Sequence, residues 1–381
     1  MAEQSNTPQL RFQGYTDAWG QERLGNFLFD PFLEKVEVTN EDQLMTLGLN
    51  LSGLRAGGNK STHEFGSTIY FKRHTGQFIY GKQNFFHGSI AIIPDEFDGK
   101  CTSGDVPALD IKGINPSFLY CYVGRPEYYE SKEAESTGTG SKRIHQDTLK
   151  KFEISVPNNA EEQGKIGSLF GKLDSLLSLH QRKLEKLQAI KKSLLQKMFP
   201  AGGEDRPQIR FAGYTDAWGQ ERLNEIVSYQ SSNLTASDAF ENGTYPLYDA
   251  NGKIGFSNKE PIKENYITII KDGAGVGRIR KLPKNTLFIG TMGALLPNSA
   301  DYDFVYALLS RYNLSEKHTG STIPHIYFKD YGKNFYHIPC LSEQHKIGQV
   351  FAQIDSLLAL HQRKLEKLQE IKKALLQKMF C

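Results

Sequence analysis

The sequence predicts an α+β fold: two mixed α/β domains joined by two long antiparallel coiled-coil helices, with a pseudo-two-fold arrangement inside one chain. Three observations predict it. A long run, IGSLFGKLDSLLSLHQRKLEKLQAIKKSLLQKMF at 166–199, returns as IGQVFAQIDSLLALHQRKLEKLQEIKKALLQKMF at 347–380. A shorter run, PQLRFQGYTDAWGQERL at 8–24, returns as PQIRFAGYTDAWGQERL at 207–223. The stretches between, 25–157 and 224–339, are strand-rich and show no obvious similarity to each other.

The long runs contain no Pro, and Gly is confined to their first turns. Leu, Lys, Gln and Glu dominate, the residues that lose least rotamer freedom in a helix. Apolar positions recur in steps of three and four at Leu173, Leu177, Leu184, Leu187, Ile190, Leu194 and Met198, with His180 filling one slot. The second copy repeats this at Ile354, Leu358, His361, Leu365, Leu368, Ile371, Leu375 and Met379. That seam suits helix-on-helix packing. A helix of roughly 34 residues is about 50 Å long, too long to bury its stripe against one small domain, so the two copies are expected to pack on each other. His180 and His361 read as a polar pair that fixes register rather than as ligands.

In chain order, residues 1–7 read as a tail. Segments 65–72, 76–82 and 88–94 carry β-branched and aromatic residues between Gly, His and Asn, and read as strands. Segment 116–122 fits either a helix or a strand. Segment 128–142 reads as a polar loop. Asn159 with Glu162 provides a cap and capping-box partner for the first long helix. Residues 200–207, PAGGEDRP, break that helix and form a linker. Segment 245–256 is a hairpin candidate around Asn251-Gly252. Strands are expected within 266–282 and 285–290 and a short helix at 304–314, and Ser342 is expected to cap the second long helix. The organisation is therefore 1–157, 158–200, 201–339 and 340–381. The block at 11–19 would dock at the far end of the second long helix, as the block after the linker docks beside the first.

A chain of 381 residues exceeds one ordinary core, so several domains are expected. Net charge is only +3, so any nucleic-acid surface must be local. No run approaches 18 apolar residues and residues 1–6 are polar, so neither a membrane span nor a signal peptide is expected. Cys101, Cys121, Cys340 and Cys381 form no CxxC pair; they read as free thiols of a cytoplasmic protein, with no metal site.

The paired helices ending in LLQKMF, the GYTDAW blocks opening each half and the two unlike regions between them resemble the specificity (S) subunits of type I DNA restriction–modification enzymes. The resemblance covers nearly the whole chain. It implies two target recognition domains, each reading one half of a split asymmetric site in double-stranded DNA. The helix pair would set the spacer and dock two methyltransferase (M) subunits, with restriction/translocase (R) subunits joining. Adenine-N6 methylation with S-adenosylmethionine, and ATP- and Mg-dependent cleavage, would belong to those partners. This chain would bind no cofactor and catalyse nothing.

The residues carry little chemistry of their own. Gly76 to Lys82 (GQFIYGK) follows the P-loop spacing, but Gln83 stands where Ser or Thr must ligate magnesium, and the interior reads as a strand. The run GAGVG at 273–277 reads as a tight turn whose backbone could approach a phosphate. Isolated histidines such as His63 and His87 satisfy local hydrogen bonds more often than they bind metal. Polar loop clusters are the candidate DNA contacts: Asn59, Lys60, Ser61, Ser141, Lys142 and Arg143 in the first region. In the second they are Tyr248, Asn251, Lys253, Arg278, Arg280, Ser321, Thr322 and His325. Arg can pair bidentately with guanine and Asn with adenine, whereas Lys and Ser mostly hold phosphates. Any one of them taken alone reads first as a solvated loop residue; the set as a whole, with the resemblance, reads as DNA-binding. Two rival readings stay open: a non-DNA coiled-coil adaptor with two peptide-binding heads, and an enzyme with an unrecognised site in one variable region.

Overall fold

A computed structural model describes residues 6–58, 68–138, 141–317 and 324–380. The chain divides into two compact units: Met1–Leu179 with Leu365–Cys381, and His180–Lys364. Each contains one head and part of both long helices.

The framework of the first unit is β1 (Gly20–Arg23), β2 (Leu28–Phe29), β3 (Phe78–Tyr80), β4 (Ile90–Ile92), β5 (Ala108–Ile111), helix α1 (Pro116–Val123), β6 (Glu153–Val156) and the long helix α2 (Ala160–Lys197). The second unit repeats it as β7 (Gly219–Arg222), β8 (Val227–Ser231), β9 (Tyr266–Ile270), β10 (Ile279–Leu282), β11 (Met292–Pro297), α3 (Tyr302–Leu309), β12 (Phe335–Ile338) and α4 (Leu341–Met379). The central sheets run β2-β5-β3-β4 and β8-β11-β9-β10, with every neighbour antiparallel. β1 pairs with β6 and β7 with β12. The two variable regions therefore share one topology that their side chains conceal.

Each head is tied to its long helix by the same buried residues. Glu162 and Gln163 open α2; Glu343 and Gln344 open α4, and all four are buried. The Arg11 guanidinium grips Glu162 with two hydrogen bonds of 2.7 and 2.9 Å, and donates to the Asp17 carbonyl. Arg210 does the same to Glu343 at 2.7 and 2.8 Å, and to the Asp216 carbonyl. Gln163 accepts from the Asn115 amide and donates to the Pro157 carbonyl; Gln344 accepts from the Asp301 amide and donates to the Pro339 carbonyl. Asn115 and Asp301 in turn cap α1 and α3. One turn of long helix thus fixes the repeated block, the strand before it and the head's helix.

The cores follow suit. In the first unit Trp19 packs edge-on against Phe118 and Phe380, and the Leu10 amide donates to the Lys378 carbonyl. In the second, Trp218 packs against Phe304 and Phe199, and the Ile209 amide donates to the Lys197 carbonyl. The opening block thus docks at the end of the second long helix, as its repeat docks at the end of the first. Within the first unit Phe170 meets Phe380 and Asp174 pairs with Lys372, so the helices run antiparallel. Phe351 with Phe199 and Asp355 with Lys191 repeat this in the second.

Among the seam positions, Leu173, Leu184, Ile354 and Leu365 are buried, and Leu177, Leu187, Leu194, Leu358, Leu368 and Leu375 are half-buried. Ile190 and Ile371, also assigned to the seam, are instead 40% and 39% exposed, because the slot a heptad on from Leu184 and Leu365 falls one residue later, to Lys191 and Lys372, which pair with Asp355 and Asp174. His180 and His361 meet with Nδ1 atoms 2.8 Å apart.

Other local expectations change. The ambiguous segment at 116–122 is helical, because Pro116 sits in the first turn behind an Asn cap. Part of the expected loop at 128–142 is helix, Pro126–Ser131, which buries Tyr128 and Tyr129. Asn159 does accept from the Glu161 and Glu162 amides, but the Glu162 side chain is taken by Arg11 rather than by a capping box. Ser342 lies inside α4 and bonds Tyr214; the Cys340 carbonyl accepts the first-turn amides of Glu343 and Gln344.

Two outcomes follow. Arg210→Ala leaves Glu343 buried and unpaired, and is expected to cost about 3–5 kcal/mol in denaturant unfolding, whereas Arg210→Met with Glu343→Leu loses far less. Burial, then the like charges of His361, Lys364 and Lys183, pushes the His180 pKa below its ordinary value. The fold then favours neutral His180, so its contribution is present above the ordinary histidine range and lost as pH falls. Tm should drop between pH of about 7.5 and about 5.5, and less so in His180→Leu.

Candidate nucleic-acid interface

In the second head the candidate residues gather around the glycine loop. Gly273, Gly275 and Gly277 all have φ near +80°, and a Cβ on Gly277 would come within 2.6 Å of the Ser315 amide nitrogen. Only glycine lets the chain turn this tightly. The loop sits between two other segments. On one side Arg278 and Arg280 both donate to the Ala250 carbonyl, at the tip of the hairpin formed by Tyr245–Tyr248 and Lys253–Ser257. Asp249 closes that tip by accepting from the Asn251 and Gly252 amides. On the other side the Gly273 amide donates to the Pro324 carbonyl and the Ile326 amide to the Lys271 carbonyl. There His325 donates from Nδ1 to Asp272 at 2.7 Å and stacks on Tyr327.

Arg278 and Arg280 therefore act first as struts for the hairpin tip. Lys253 lies over the Phe256 ring at 3.6 Å, and Tyr248 packs partly into a side core. Asn251 is exposed and His325 is partly exposed. Ser321 and Thr322 lie outside the described residues.

In the first head, Asn59, Lys60, Ser61 and His63 lie outside the described residues. Lys142 pairs with Glu133 at 2.8 Å, which holds that carboxylate below its usual range. Arg143 pairs with Asp105 at 3.2 Å. With its amide oxygen turned toward them, Gln83 accepts from Arg143 and Ser141. These groups border a recess of about 400 Å³ lined by Thr46, Tyr70, Gln83, Asn84, Ser103 and Asp105. Beneath it Arg73 is buried; it donates to the Thr102 hydroxyl and to the Ser103 and Val106 carbonyls, fixing the turn that carries Asp105. Burial pushes its pKa down to about 10, so it stays charged at neutral pH.

Gln83, Asp105 and Asp272 were missed by sequence reasoning. In the sequence Gln83 stands out only as the residue that departs from a P-loop. The interior of GQFIYGK is the buried strand Phe78–Tyr80 rather than a phosphate-binding loop. Among the described residues no group of three or more His, Cys, Asp or Glu could hold a metal ion, and no helix is long and apolar enough to cross a membrane.

The family described as type I restriction modification DNA specificity domain matches residues 36–189 and 215–370, one match in each half. This chain belongs to the type I restriction–modification specificity family. It is similar to a putative type I specificity subunit of Mycoplasma pneumoniae, 25% identical over 98% of this chain and 99% of that one. It is also similar to the specificity subunit of the type I restriction enzyme MjaVIII of Methanocaldococcus jannaschii, 22% identical over 64% of this chain and 65% of that one. In fold it resembles the crystal structure of a type I restriction–modification S subunit from M. genitalium, with TM-score 0.72, 20% identity and coverage of 98% and 99%. As a specificity subunit the chain is the non-catalytic, DNA-recognising component of its system.

Proposed function

We infer that each head of this specificity subunit reads one half of a split, asymmetric DNA site, while the helix pair sets the spacer and docks two methyltransferase subunits. One observation carries this reading. Two heads with the same strand order and the same helix anchor present different polar residues at their loops, which suits two unlike half-sites read through one framework. The charge balance agrees: contacts are local clusters on a chain of net charge +3, and phosphate contacts would make binding fall steeply with salt.

Docking of two identical partners is supported by features that occur twice. Leu176 and Leu179 on α2 are 42% and 46% exposed, and their repeats Leu357 and Leu360 on α4 are 44% and 39% exposed. Recesses of about 350 and 520 Å³ recur at matching places, lined by Lys372 and Leu376 in the first unit and by Lys191 and Leu195 in the second. In this reading adenine-N6 methylation with S-adenosylmethionine, and ATP- and Mg-dependent cleavage, belong to the methyltransferase and restriction subunits.

The peptide-binding adaptor gains no observation of its own. Exchanging residues 25–157 for those of another specificity subunit should change one half of the methylated sequence; a change in both halves or neither contradicts modular reading. Leu176→Glu with Leu357→Glu should abolish co-purification of the methyltransferase subunit while Tm is kept. Removing one heptad from both helices shortens each by about 10 Å and should alter or abolish use of the normal spacer.

A further inference from the structure

The shared framework allows residue-by-residue comparison of the two heads, and the comparison singles out one position. At the end of β3 the Lys82 amide donates to the Asp105 carbonyl at 2.9 Å, and at the end of β9 the Lys271 amide donates to the Thr291 carbonyl at 3.0 Å. The Lys82 carbonyl accepts from the Ile144 amide at 2.8 Å; the Lys271 carbonyl accepts from the Ile326 amide at 2.9 Å. The backbones are thus superimposable in bonding, and this pairs Gln83 with Asp272 and Arg143 with His325. At each place a residue just past the strand meets a basic side chain from the returning loop. The contacts are Gln83 with Arg143, and Asp272 with His325.

We propose that this pair is the main base-reading element of each head: Arg143 with Gln83 reads a guanine in one half-site, and His325 held by Asp272 reads an adenine or cytosine in the other. The proposal rests on the reading of the chain as a DNA-specificity subunit. Four observations carry it. The position is fixed by main-chain bonds, so its side chains are aimed by the framework rather than by a wandering loop. Its occupants differ completely between heads, although the surrounding bonds do not. Both basic side chains are 36% exposed, accessible yet pre-oriented by a polar neighbour. Their chemistry matches base edges: a guanidinium presents two parallel donors to guanine O6 and N7. A carboxylate can only accept, so His325 Nδ1 carries a proton; in the neutral ring Nε2 is then the acceptor, which suits an exocyclic amino group. Arg143 is also held by Asp105, so reading a base means exchanging these protein partners for the base edge; Arg278 and Arg280 converge on the Ala250 carbonyl and position the hairpin.

The test uses the full chain assembled with its methyltransferase subunits, with modified adenines mapped by long-read sequencing for wild type, Arg143→Ala, Gln83→Ala and His325→Ala. Arg143→Ala should lower discrimination at one guanine of one half-site by at least about fivefold, leaving the other half intact. His325→Ala should relax one adenine or cytosine in the opposite half. Gln83 is exposed and outside the core, so Gln83→Ala keeps the fold and should relax the same or the adjoining base as Arg143→Ala. An unchanged motif in Gln83→Ala, or a uniform loss across sequences for Arg143→Ala at unchanged Tm, overturns the proposal. If wild type itself produced no split motif, the recognition function would fall instead, and the two failures are distinguishable.

Discussion

The fold turns on a buried glutamate gripped by arginine at the first turn of each long helix. Glu162 and Glu343 are 1% and 0% exposed, and each meets one guanidinium through two hydrogen bonds. A carboxylate taken so far from water is tolerable only when paired and fully hydrogen-bonded. That requirement decides where each GYTDAW block must sit: it packs at the first turn of the long helix that follows its own head, and there it also meets the end of the other long helix. The neighbouring Gln163 and Gln344 extend the same anchor to the cap of α1 and α3. A head is then bound to a rod at one defined place, and its loops inherit that placement.

The helices and their pairing were legible because the repeat is nearly verbatim and its apolar spacing is that of a seam. The spacing misleads only at Ile190 and Ile371, one residue short of heptad slots that Lys191 and Lys372 fill through pairs with Asp355 and Asp174. The hairpin around Asn251-Gly252 was legible from turn chemistry. The common sheet of the two heads was not, because strand order is set by main-chain pairing between segments far apart in sequence, and the side chains share no pattern. The helix Pro126–Ser131 was hidden by its polar composition; burial of Tyr128 and Tyr129 outweighs weak propensity.

The candidate site was legible in part. Polar loops with Arg, Lys, Asn and His were visible, but which side chains are free to meet DNA depends on who holds them. Arg278 and Arg280 are engaged with a carbonyl, and Lys253 with an aromatic ring. Gln83 and Asp272 became visible only once equivalent main-chain bonds placed them beside Arg143 and His325. A duplicated framework tolerates such divergence, since these exposed loop residues are not the ones that hold the fold.

The central proposal is that the two heads of this specificity subunit read two unlike half-sites across an unread spacer. Selection of bound duplexes from a fully random library, using the chain assembled with its methyltransferase subunits, tests it most directly. The account predicts two different short blocks separated by a constant number of unread bases. A single contiguous block, or two blocks whose separation varies freely, would contradict it.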